Sequence, residues 1–161
     1  MMAHGGRSSI AVESPIGPLT LSARAGSLVE VRFDDRRPIV GERTPELNAA
    51  AAQLEEYFAG RRRAFDLPVA LPGGEFDRRV LEAADRIPYG ERRAYGSIAA
   101  ELGLPAERSR DVGGALGRNP LPIVLPCHRV VGADGGLTGY GGGLERKAFL
   151  LALESPQLVL Q

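Results

Sequence analysis

A single thiol, Cys127, lies in the run Asn119-Pro120-Leu121-Pro122-Ile123-Val124-Leu125-Pro126-Cys127-His128-Arg129-Val130, clamped by prolines and followed at once by an imidazole. Nucleophilic sulfur chemistry needs such a pairing, because the thiolate attacks and a base must first take the proton. Plain packing is the competing reading, since lone cysteines are among the most buried residue types. Neighbours in extended chain point to opposite faces. His128 therefore reaches the Cys127 proton only if the backbone bends there, or through a bridging water. A cysteine hydrolase is disfavoured, because it needs a base from elsewhere and an oxyanion hole, and His4 in the amino-terminal segment is a poor source.

The rest of the composition narrows the chemistry further. One cysteine excludes an internal disulfide, and with only His4 and His128 as histidines a zinc site would have to lean on carboxylates, so no structural metal is expected. No stretch approaches the apolar length of a signal peptide core or a membrane span, which predicts a cytoplasmic protein with no membrane partner. Basic and acidic residues balance on both sides of residue 74, nine of each before it and eleven of each after. A nucleic-acid footprint must therefore be local, and the stretch from Arg86 to Arg118, with six arginines against four carboxylates, is the only candidate.

The elements that must position Cys127 follow from periodicity. Alternating Ile10 and Val12, then Leu19 and Leu21, then Leu28 to Phe33, separated by Pro15-Ile16-Gly17-Pro18 and Ala25-Gly26-Ser27, predict a small antiparallel meander. Thr44 as N-cap and Pro45 at the first helical position open an amphipathic helix through Leu47, Ala50, Leu54 and Phe58, ended by Gly60. Leu67 to Gly74 reads as a strand entering a linker, which gives an α/β domain over residues 1–72 and a second domain over 73–161. That second domain starts with a helix through Phe76, Val80, Leu81, Ala84 and Ile87. Two short helices follow, Tyr95 to Leu102 and Pro105 to about Gly117, joined at Gly103. Such a pair is a helix-turn-helix or a plain helical hairpin. Ile123 to Leu125 is expected to be a buried strand delivering Cys127; a glycine-rich loop over 132–143 and a last helix from Leu144 to about Glu154 complete the chain.

Pro126-Cys127-His128-Arg129-Val130, preceded by Asn119-Pro120 and followed by Thr138-Gly139-Tyr140-Gly141-Gly142-Gly143-Leu144, resembles the signature of the O6-alkylguanine-DNA alkyltransferases. The likeness runs from about Phe76 to Glu154, and the amino-terminal half resembles, more loosely, the small α/β domain that precedes this module. The fold so implied is an α/β chain: a small antiparallel sheet plus helix, then a mainly helical, winged-helix-like helix-turn-helix domain carrying the cysteine.

The implied function is DNA repair by stoichiometric, irreversible transfer of an alkyl group from O6 of guanine, and from O4 of thymine, to Cys127, a reaction that requires no cofactor. The partner would be double-stranded DNA and the protein a monomer. In that family the helix-turn-helix enters the minor groove and the damaged base is rotated into a pocket. The resemblance implies a relay of His128, through water, and Glu154, with Asn119 linking the elements of the pocket and Tyr95 promoting flipping and protonating the leaving oxygen. Arg110 would fill the hole left by the base, and Gly113, Ala115, Arg118 and Arg129 would also meet DNA. Tyr140, Gly141, Pro122 and Val130 would line the pocket. Arg108, Ser109 and Asp111 stand where relatives tend to carry small residues, and Asp111 would repel phosphates unless Arg108 or Arg110 pairs with it. Leu81 stands where many relatives have tryptophan. Gly141 replaces a bulkier residue of some relatives, which suggests room for more than methyl. Two other classes remain to be told apart by experiment: relatives that flip damaged bases without transfer, which lack the cysteine, and a hydrolase or redox thiol.

Overall fold

The computed structural model describes residues 6–34, 41–71 and 73–155, so His4 lies outside the described residues. The chain divides into two compact units, 1–72 and 73–161. In the first, β1 (Arg7–Val12), β2 (Leu19–Arg24) and β3 (Ser27–Arg32) form an antiparallel sheet in the order β1-β2-β3, with Ile10 opposite Leu21 and Leu21 opposite Val31. The β2–β3 turn is Ala25-Gly26, both at positive φ (53° and 85°), the handedness that a two-residue hairpin needs to match strand twist. Helix α1 (Pro45–Phe58) buries Leu47, Ala50, Leu54 and Tyr57, and the Thr44 hydroxyl accepts from the Leu47 amide at 3.3 Å, satisfying one of the orphan donors of the first turn.

The strand expected over Leu67 to Gly74 is reduced to one parallel bridge between Leu28 and Val69, with Leu28 N–H donating to Pro68 O at 2.8 Å and Ala70 N–H to Leu28 O at 3.1 Å. Pro68 has no amide proton, so the ladder cannot extend past it on that side.

In the second unit α2 (Glu75–Asp85), α3 (Tyr95–Glu101) and α4 (Ser109–Gly117) pack on one another, with Val80, Leu81, Ala84, Ile98, Ala99, Val112 and Leu116 buried between them. The α3 end is a Schellman turn. Gly103 sits at φ 76°, Leu104 N–H donates to Ala99 O (2.8 Å) and Gly103 N–H to Ala100 O (3.0 Å), which turns the chain into the 3₁₀ stretch Ala106–Arg108 that opens α4. A two-residue parallel pair, β4 (Arg93–Ala94) with β5 (Val130–Val131), ties the start of α3 to the segment after Cys127. Helix α5 (Leu144–Glu154) begins at Gly143, φ 92°, and buries Lys147, Leu150, Leu151 and Glu154. Among the described residues no helix is long and apolar enough to cross a membrane.

Candidate active site

The segment before Cys127 is a tight buried turn rather than the expected strand. Pro122 bridges to Leu125, Leu125 N–H donates to Leu121 O at 2.8 Å, and Ile123 takes φ 74°. Prolines at 120, 122 and 126 deprive the run of ladder donors, and a β-branched residue at positive φ is strained by about 1–3 kcal/mol. Asn119 holds the turn: its Oδ1 accepts from Leu121 N–H (2.9 Å), and its Nδ2 donates to Leu125 O (2.9 Å) and to Cys127 Sγ (3.1 Å). Cys127–Arg129 then form one 3₁₀ turn, which supplies the backbone bend that extended chain would lack.

That turn sends the imidazole away from the thiol's open side and into the core. His128 is fully buried, with Nε2 2.8 Å from Glu154 Oε2 at the end of α5. Its Nδ1 is buried without a hydrogen-bond partner among the described residues. Burial outweighs the carboxylate beside it and pushes the His128 pKa down, so the ring is neutral at physiological pH. A neutral ring that donates Nε2–H to Glu154 leaves Nδ1 as an acceptor. The Cys127 thiol is pushed up by burial, against the Asn119 hydrogen bond and the Lys147 charge, so the resting sulfur is protonated.

Cys127, 8% exposed, reaches a cavity of about 380 Å³ that is also lined by Tyr95, Gly113, Leu116, Gly117, Thr138, Tyr140 and Gly141. The Thr138 hydroxyl donates to the Tyr95 hydroxyl (3.0 Å), which is 3.4 Å from Thr138 O. Burial pushes the Tyr140 hydroxyl far up, so it stays a neutral phenol. Lys147 went unnoticed in the sequence. Its ammonium, 1% exposed, donates to Val130 O (2.8 Å), Thr138 O (2.7 Å) and Gly139 O (3.3 Å), fastening the cavity loop to β5. Burial lowers its pKa, and its charge favours a thiolate at Cys127. The available signal was position: Lys147 shares the helix face of Leu150, Leu151 and Glu154, where an unpaired charge is costly.

Four residues expected at the pocket or on DNA lie elsewhere. Arg129 is 6% exposed and spends its guanidinium on Glu154 and Ile87 O, which removes it from any DNA-facing surface. Ala115 is fully buried on the core side of α4 beside Val112 and Leu116. Val130 is buried in β5 and Pro122 in the turn, so neither lines the cavity. Arg110 is exposed and makes no hydrogen bond or ion pair with other described residues. Arg118, also exposed, is held by Asp77 through two hydrogen bonds of 2.7 and 2.8 Å. Arg108 engages Asp111, offsetting the carboxylate on α4. No cluster of three or more His, Cys, Asp or Glu able to hold a metal occurs among the described residues.

This arrangement can be set beside known proteins. Residues 75–156 match the model of the 6-O-methylguanine DNA methyltransferase DNA binding domain, and residues 10–71 that of the 6-O-methylguanine DNA methyltransferase ribonuclease-like domain. The chain is 51% identical over 148 residues to the methylated-DNA–protein-cysteine methyltransferase of Mycolicibacterium paratuberculosis, covering 89% of each. It is similar to the crystal structure of Mycobacterium tuberculosis O6-methylguanine methyltransferase, with a TM-score of 0.84, 42% identity and 92% and 93% of the two chains covered. It is also similar to Mycobacterium tuberculosis OGT in complex with DNA, with a TM-score of 0.78, 46% identity and 89% and 90% covered. With a thiol at a cavity, a buried histidine–carboxylate pair behind it and both halves matched, the chain belongs to the O6-methylguanine DNA methyltransferase family.

Proposed function

We propose that this protein repairs alkylated double-stranded DNA by moving one alkyl group from O6 of guanine, or O4 of thymine, onto Cys127, working as a monomer in the cytoplasm. The observation that carries this reading is the thiol at the cavity wall, held by Asn119 Nδ2 at 3.1 Å with the His128–Glu154 pair behind it.

A base inside a duplex cannot present its O6 substituent to a buried sulfur, so the nucleotide turns out of the stack into the cavity. Helix α4 then lies along the minor groove, and Arg110, exposed and uncommitted, fills the vacated stack with its planar guanidinium. Gly113, whose Cβ would stand 3.7 Å from the Tyr95 ring, keeps the cavity wall thin. In the reaction, Sγ attacks the alkyl carbon as the carbon–oxygen bond breaks. The thiol proton passes through a water to His128 Nδ1, the imidazolium so formed is stabilised by Glu154, and Tyr95 supplies a proton to the departing base. Asn119 N–H and the Lys147 ammonium stabilise negative charge growing on sulfur. Water does not cleave the resulting thioether, so each molecule acts once.

Duplex DNA labelled on the O6-methyl of guanine tests the reading. Label is expected to move to the wild-type protein and not to Cys127→Ala. Label remaining on DNA with folded wild type would reject it, as would turnover on an ester or peptide with indifference to DNA.

A further inference from the structure

The buried guanidinium of Arg129 is not used by the chemistry above. Its Nε donates to Glu154 Oε1 (2.8 Å), its Nη2 to Glu154 Oε2 (3.0 Å) and its Nη1 to Ile87 O (2.7 Å). The carboxylate therefore receives a forked contact from Arg129 on top of the 2.8 Å contact with His128 Nε2, and both carboxylate oxygens are engaged. The segment after α2 wraps the same place. The Tyr89 ring lies 5.7 Å from the Arg129 guanidinium carbon, its hydroxyl donates to Leu153 O at 3.3 Å, and a Cβ on Gly90 would come within 3.2 Å of Glu154 O. Ile87 to Gly90 thus form a collar that fixes both the arginine and the last turn of α5.

We propose that Arg129 is a positioning residue of the transfer reaction: it keeps the buried Glu154 carboxylate ionised and aimed at His128 Nε2, so that Nδ1 is the ring atom left to accept the thiol proton. The proposal rests on the relay described under Proposed function. A carboxylate buried to 3% exposure without a countercharge takes up a proton instead of remaining an anion. Protonated, it no longer stabilises an imidazolium, and it can offer its own proton to Nε2, which would turn the ring to the wrong tautomer. Forked guanidinium contact fixes both oxygens in one plane, which an ammonium cannot do. Among the described residues, Lys147 on α5, Tyr140 on the cavity loop and Asp85 at the end of α2 are also in electrostatic reach of this cluster.

The test compares wild type, Arg129→Met, Arg129→Lys, Glu154→Gln and the combinations of each Arg129 variant with Glu154→Gln. Two rates are read against pH: methyl transfer from O6-methylguanine duplex, and alkylation of Cys127 by iodoacetamide without DNA. In the second reaction the sulfur–carbon bond forms, iodide leaves and the thiol proton passes through His128 to solvent. It therefore reads the relay even if the DNA substrate has been misassigned. Expected for Arg129→Met is a loss of at least about tenfold in both rates at neutral pH, recovering as pH rises through the raised Glu154 pKa. Arg129→Lys, which keeps the charge and loses the fork, recovers only part of the rate, and neither Arg129 change slows Glu154→Gln further. If Arg129→Met does not fold, Arg129→Lys alone and with Glu154→Gln carries the same comparison: a partial loss with a milder alkaline shift of the profile, absent in the combination. Losses that multiply in the combinations, or an unshifted pH profile, would overturn the proposal. Weakened binding of undamaged duplex with unchanged iodoacetamide rates would overturn it too, returning Arg129 to DNA contact.

Discussion

The Asn119 amide spans the active-site turn: one N–H reaches the carbonyl of Leu125 and the other the sulfur of Cys127, at 2.9 and 3.1 Å. One side chain therefore shapes the turn and touches the nucleophile. Asn119→Ala leaves Leu121 N–H buried without that partner, at about 1–3 kcal/mol, while Leu125 O keeps its 2.7 Å contact with Cys127 N–H. A lower unfolding midpoint together with transfer at least about tenfold slower is expected, measured by denaturant unfolding and by single-turnover kinetics. Unchanged transfer in a destabilised but folded variant would confine Asn119 to the turn.

Lys147 separates positioning from charge. Lys147→Met keeps most of the length and buried volume of the side chain but removes two hydrogen bonds to the cavity loop, one to β5 and the positive charge near Cys127. The pH at which Cys127 reacts with iodoacetamide is expected to rise above that of wild type, with transfer slowed and affinity for undamaged duplex unaltered. A profile superimposable on wild type would mean that the ammonium only staples the loop.

Acid sensitivity follows from His128. Its pKa in the folded protein lies below the ordinary 6.5, so as pH falls the unfolded chain takes up this proton first. The stability this group supports is complete above about pH 6.5 and drains away as pH falls from there toward the depressed folded value. Thermal unfolding from pH 8 to 5 should show a declining midpoint, and His128→Gln should flatten part of that decline. A midpoint that held steady in wild type across this range would contradict buried neutral histidine.

Cavity size is tested at Gly141, where a Cβ would meet nothing within 4 Å. Wild type is expected to accept O6-benzylguanine as well as O6-methylguanine, and Gly141→Phe to lose benzyl transfer by about tenfold or more relative to methyl. Equal loss of both would show that the side chain disturbs the loop and not the alkyl subsite.

Elements with clear local signals were legible in the sequence. Gly143 and the spacing of Leu150, Leu151 and Glu154 delimit α5, and Gly103 marks the α3–α4 turn, because caps and periodicity are written in neighbouring residues. Three features were not. Ile123 to Leu125 is apolar enough for a strand, yet the donors that decide its course are missing at the prolines and come from the Asn119 side chain. Arg129 reads as a surface cation until Glu154, 25 residues away, is seen to neutralise it. Lys147 likewise finds its carbonyl partners only when the cavity loop folds over α5. Burial of charge is a property of pairs, and those pairs are remote along the chain.

Single transfer to Cys127 is read by intact-protein mass spectrometry after incubation with excess O6-methylguanine duplex. The expected result is a gain of one CH₂, the methyl replacing the thiol proton, mapped to Cys127 and stopping at one equivalent per protein. No gain in a folded protein, a gain at another residue, or continued demethylation beyond one equivalent would contradict it.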